Sequence, residues 1–168
     1  MNLPDTDPLA LWLMPDSATS ELLEALMRPL SQKTGSPLFP PHITMASGSR
    51  HQWTGDFVLP DAFGPRSVRL FATGMGCEPH FFRALYLQLQ PTADLEACHH
   101  QALLRLSSTA VWCPHISLVY SDAPMGEKLS WAKDVAVPQC PLIFNEWSLW
   151  GPEPGHSWRN TNAWRRWL

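Results

Sequence analysis

Two short stretches of this chain carry residues that could do chemistry together. Pro41-His42-Ile43-Thr44 and Pro114-His115-Ile116-Ser117 each place a histidine two residues before a hydroxyl, behind a proline. In a β-strand, residues i and i+2 share a face. His42 would then stand beside Thr44, with Ile43 and Met45 turned away, and His115 beside Ser117, with Ile116 and Leu118 turned away. Opening a phosphodiester needs a base for the attacking water, an acid for the leaving oxygen, and donors for the oxygens that gain charge. Two imidazoles that titrate near neutrality can fill the first two roles without a metal, and Thr44 and Ser117 can fill the third. A five-membered cyclic phosphate suits such a site, because its strained leaving group stays tethered. The pair predicts a bell-shaped pH profile with both limbs near neutrality. One strand histidine alone is more often structural; the second copy in a matching context points to paired catalysis.

The elements that must position the motifs also repeat. Leu11-Trp12-Leu13-Met14-Pro15 reads as a buried strand before a helix, which Asp16 or Ser17 can cap. Leu22, Leu23, Leu26, Met27 and Leu30 recur at helical spacing, and Pro29 predicts a kink or break in the last turn. Leu87-Gln88-Leu89-Gln90-Pro91 stands in the same way before a second helix, whose apolar face is Leu95, Cys98, Ala102, Leu103 and Leu106. Pro15 precedes His42 by 27 positions and Pro91 precedes His115 by 24. This spacing predicts two strand–helix–strand halves about a pseudo-twofold axis, with the motif strands facing across a shared cleft. Further strands are expected over 52–59, 67–75, 81–90, 142–150 and 158–168, and a short helix over 121–133.

The 168 residues suit a single two-lobed domain over 1–168. With 45% hydrophobic and 16% charged residues the chain can bury a core. A net charge of −3 argues against a partner as large as a long nucleic acid, but not against a small nucleotide. Neither a signal peptide nor a membrane span is evident, so a cytoplasmic monomer with reduced cysteines is expected, without a membrane partner. Cys77, Cys98, Cys113 and Cys140 form no C-x-x-C pair, and no H-E-x-x-H pattern occurs. The expectation is therefore no cofactor and no metal. His99 and His100 are adjacent within the second helix and are expected to face solvent. Five of the nine tryptophans fall between Trp147 and Trp167, and are expected to close the core. Arg159, Arg165 and Arg166 read as a solvated edge.

The two His-x-Thr/Ser motifs in related halves resemble the 2H (two-histidine) phosphoesterase superfamily. The text from Leu11 to Pro15, the run Phe81-Phe82-Arg83-Ala84-Leu85-Tyr86-Leu87 and the segment Pro114 to Tyr120 are similar to its plant and yeast cyclic phosphodiesterase branch, over roughly residues 9 to 150. The resemblance implies an α+β fold of two lobes, with antiparallel sheets lining a central cleft and helices outside. It implies His42 and His115 as the catalytic pair and Thr44 and Ser117 as phosphate ligands. Tyr120, three residues after Ser117, would line the site, and Phe81 or Phe82 would stack on a base. The implied substrates are ADP-ribose 1″,2″-cyclic phosphate and nucleoside 2′,3′-cyclic phosphates; His115 is expected as base and His42 as acid, with the reverse assignment open. Two alternatives stay open: a LigT-like enzyme acting on RNA 2′,3′-cyclic ends, and a nucleotide-binding domain without catalysis.

Overall fold

The computed structural model describes residues 8–53, 67–106 and 112–168. The apolar run after Pro8 forms β1 (Pro8–Pro15), in which Leu9 to Leu13 are all buried. Such a strand needs neighbours on both edges. It pairs antiparallel with β2 (Ile43–Ser49) on one side and β7 (Leu142–Pro152) on the other. β3 (Val68–Leu70) and β8 (Trp164–Arg166) both pair with β7, which completes a five-stranded sheet. A second sheet has β5 (Leu85–Leu89) at its centre, between β4 (Ala72–Gly76) and β6 (His115–Val119), again all antiparallel. The two lobes of an α+β fold are therefore built around matching trios, β2-β1-β7 and β6-β5-β4.

Among the described residues, three α-helices connect and cover these sheets. α1 (Ser17–Thr34) starts at Asp16, whose Oδ1 accepts the Thr19 N–H at 2.8 Å, and ends at Gly35 in the left-handed region, φ 72°. The break expected at Pro29 does not occur, and α1 runs on for another turn. Leu23, Met27 and Leu30 stay buried on one face across the proline, so packing outweighs the missing N–H. α2 (Ala93–Leu106) buries Leu95, Cys98 and Ala102. α3 (Met125–Ala132) is short and buries Trp131 and Lys128. α1 packs on β6 and α2 packs on β2, so each helix lies against the motif strand of the other half. β2 and β6 also touch each other, although they belong to different sheets.

Four expected strands are corrected. The segment expected over 67–75 is divided: β3 belongs to the first sheet and β4 to the second, with exposed Phe71 at the crossing. The alternation of Val68 and Leu70 is real, but it ends where the chain changes sheets. The segment expected over 81–90 begins with a 3-10 turn, Phe81–Arg83, closed by Arg83 N–H to the His80 carbonyl at 3.2 Å. Extended pairing starts only at Leu85. The last expected strand shrinks to β8, and of 52–59 the part through Trp53 lies in a 3-10 turn while the rest falls outside the described residues.

Candidate active site

Alternation along each motif strand sends Ile43 and Ile116 into the core, fully buried, and leaves His42, Thr44, His115 and Ser117 on a common cleft of about 370 Å³. Both halves interrupt that alternation at the same place. Trp12 pairs with Thr44 but Leu11 with Ala46, and Tyr86 pairs with Ser117 but Leu85 with Val119. Each motif strand thus carries one extra residue directly after its hydroxyl, Met45 or Leu118, in a β-bulge. A bulge shifts the face by one residue. Ser47 and Tyr120, each three positions after the hydroxyl, therefore line the cleft, where a regular strand would turn them away.

The register also aligns the halves differently from the expectation. Leu11-Trp12-Leu13 corresponds to Leu85-Tyr86-Leu87, two residues off the alignment of Pro15 with Pro91. Trp12 and Tyr86 are then equivalent, and each lies against the histidine of its own half. The Trp12 ring stacks on His42 with centroids 3.5 Å apart and planes within 9°. Tyr86 meets His115 edge-on at 5.2 Å. A repeated Leu-aromatic-Leu triplet is the signal that sequence reading passed over.

Both imidazoles are oriented by the chain immediately before them. Nδ1 of His42 lies 2.6 Å from the Pro40 carbonyl, and Nδ1 of His115 lies 2.9 Å from the Cys113 carbonyl. A carbonyl accepts only, so each Nδ1 carries the hydrogen, and Nε2 is left free for chemistry. Burial is the largest influence on both rings and lowers both pKa values. His42 falls to about 3; the Pro40 bond opposes this and the nearby His115 adds to it. His115 is lowered by burial, raised by its Cys113 bond, lowered by Arg83 and raised by Glu78.

The hydroxyls differ. Thr44 has no side-chain hydrogen bond among the described residues, whereas Ser117 Oγ donates to the Phe82 carbonyl at 2.8 Å. Tyr120 is buried, stacks on Phe39 at 3.9 Å, and has its hydroxyl beside Ser117; burial raises its pKa. Phe82 reaches the cleft wall. Phe81 stands behind it, edge-on at 4.9 Å, beneath the Arg159 guanidinium. Trp158 and Trp164 line the cleft as well, while Trp147 and Trp164 lie in the core. Arg159, Arg165 and Arg166 pair with Asp122, Glu153 and Glu146 at the surface. His99 is half-buried rather than solvent-facing. It stacks on Trp112 at 3.9 Å, and the Trp112 indole donates to the Thr44 carbonyl at 3.0 Å, which explains the burial. His100 is exposed. All four cysteines are free. Among the described residues no helix is long and apolar enough to cross a membrane, and no three metal-binding side chains converge.

No family model matches the chain. Over 128 residues it is 27% identical to a cyclic phosphodiesterase of Arabidopsis thaliana, covering 73% of this chain and 70% of that protein. Its fold is similar to that of E. coli LigT complexed with 3′-AMP, with a TM-score of 0.59 and 15% identity over 96% of this chain and 94% of that one. A solved phosphoesterase gives a TM-score of 0.55 at 16% identity over 95% and 94%. The chain is thus similar in sequence to a cyclic phosphodiesterase, and it shares its fold with LigT and the solved phosphoesterase.

Proposed function

We propose that the protein opens cyclic phosphodiesters by two-histidine acid–base catalysis, acting on ADP-ribose 1″,2″-cyclic phosphate, nucleoside 2′,3′-cyclic phosphates, or both. The observation that carries this reading is the repeated placement of two Nε2 atoms on one cleft, each ring fixed by a backbone carbonyl two residues upstream. In the reaction His115 Nε2 takes a proton from water as the water oxygen bonds to phosphorus. The ring P–O bond breaks, and His42 Nε2–H protonates the departing oxygen. The product is a monoester, such as a nucleoside 2′-phosphate or ADP-ribose 1″-phosphate. Exchange with solvent then resets both rings.

The acid must be protonated, and His42 in the free cleft is not. The substrate can supply what is missing. One anionic charge at about 4 Å gives about 4 kcal/mol at an effective dielectric of 20. At about 1.4 kcal/mol per tenfold change, that is enough to lift His42 from about 3 well back toward the ordinary imidazole range. The Thr44 hydroxyl is open to a phosphate oxygen. Ser117 must exchange its bond to Phe82 for one to phosphate, which a charge-assisted bond favours.

The test is an assay with chelator and without added metal, on 2′,3′-cyclic AMP, ADP-ribose 1″,2″-cyclic phosphate and a short RNA with a cyclic end. Ring opening of at least one small substrate is expected. Opening of the RNA alone would favour an RNA-end enzyme, and no reaction with any of them would refute the catalytic reading.

A further inference from the structure

Arg83 was assigned no role from sequence, and its placement is unusual. Among the described residues that line the cleft it alone carries a fixed charge. Its Nε is buried and has no hydrogen-bond partner among the described residues. An unpaired buried donor is costly, so a group left this way needs a reason. The rest of the side chain is firmly held. Nη2 pairs with Glu78 Oε1 at 2.8 Å, and that same oxygen accepts the Tyr86 hydroxyl at 3.0 Å. The guanidinium carbon lies 4.9 Å from the centre of the Tyr86 ring. Glu78 is anchored through its own backbone: its carbonyl accepts Nζ of buried Lys128 at 2.9 Å, and its N–H donates to the Arg83 carbonyl at 3.0 Å. The turn Phe81–Arg83 brings Arg83 beside the Phe82 carbonyl that holds Ser117. The positive charge is felt at His115.

We infer that Arg83 binds a non-bridging oxygen of the scissile phosphate through its guanidinium, with Glu78 and Tyr86 as the brace that aims it. The inference rests on the phosphodiesterase reading and deepens it. In the free cleft both histidines are neutral near pH 7, so an anionic substrate meets Arg83 as the cleft's permanent cation. Glu78 holds one edge of the fork, so the guanidinium need not be ordered when phosphate arrives. An arginine serving only to tie the turn to Glu78 would have no need to keep a buried donor unpaired.

Two measurements test this. The first compares Arg83→Gln and Arg83→Lys with the unmodified protein on 2′,3′-cyclic AMP. Arg83→Gln is expected to lower kcat/KM about 100-fold, with Arg83→Lys intermediate. The second is a titration with inorganic phosphate, followed by tryptophan fluorescence and by the Arg83 Nε–H resonance of the unmodified protein. The resonance is expected to shift on binding, and Arg83→Gln is expected to weaken phosphate about 10-fold or more. A protein that opens no cyclic phosphate but loses phosphate affinity in Arg83→Gln refutes the enzyme reading and keeps Arg83 as the anion ligand. Unchanged phosphate affinity with an unmoved Nε–H resonance overturns the Arg83 assignment, whatever the activity. The resonance needs no variant, so the result stands even where a substitution fails to fold.

Discussion

His42 and His115 share a motif but not an environment. The face of Trp12 covers His42, and burial takes its pKa to about 3. His115 sees the edge of Tyr86 and a Glu78–Arg83 pair, and burial lowers it to a lesser degree. The difference sets the pH dependence. The proposed mechanism needs one ring protonated and one neutral, and kcat/KM reports the free protein. A lowered pKa means the proton leaves at lower pH, so the alkaline limb of kcat/KM is expected below pH 6.5, not at neutrality as the bare motif implies. The bound phosphate raises His42, the ring that meets it, so the same limb in kcat is expected at higher pH. Steady-state kinetics across pH 4–9 checks this; an alkaline limb of kcat/KM above pH 7 would contradict the burial argument. That His42, Thr44, His115 and Ser117 share one cleft was legible from the sequence, because each pair stands two residues apart on a strand. Burial was not, since the groups that desolvate His42 come from residues as distant in the chain as Trp12 and Trp164.

At the scale of elements, the two bulges decide which side chains reach the cleft. A period-two reading of β2 and β6 finds the histidines and hydroxyls and then fails one residue later, because a bulge leaves no plain mark in the sequence. The turn at Phe81–Arg83 was hidden for a similar reason: its residues are good strand formers, and its backbone is set by bonds to His80 and Glu78. Gly76 is a further element-level requirement that composition does not reveal. It pairs with Tyr86, and a Cβ there would lie 2.4 Å from Tyr86 Cζ and 2.6 Å from its hydroxyl oxygen. Gly76→Ala is therefore expected to displace the ring that braces Arg83 and borders His115. The expected cost is about 1–3 kcal/mol of stability, typical of overpacking, together with a drop in kcat/KM. Thermal melts and kinetics on the same preparation check both, and a variant with unchanged melting and rate would show that Tyr86 needs no such room.

At the scale of the molecule, the duplicated half was legible as strand, helix and motif strand, and it did become the matching trios β2-β1-β7 and β6-β5-β4. What the repeat could not show is how the halves are joined. The chain changes sheets at Phe71, and each helix lies on the motif strand of the opposite half. That exchange ties α1 to β6 and α2 to β2, and keeps the motif strands side by side. The candidate site is thus a property of the joined halves: neither half alone carries both motif histidines. The most direct measurement is kcat/KM of His42→Ala and His115→Ala on a cyclic phosphate that the unmodified protein opens, with folding verified by circular dichroism. Each substitution is expected to remove at least about 100-fold, the usual worth of a positioned acid or base. Near-full activity in either variant would contradict the paired mechanism.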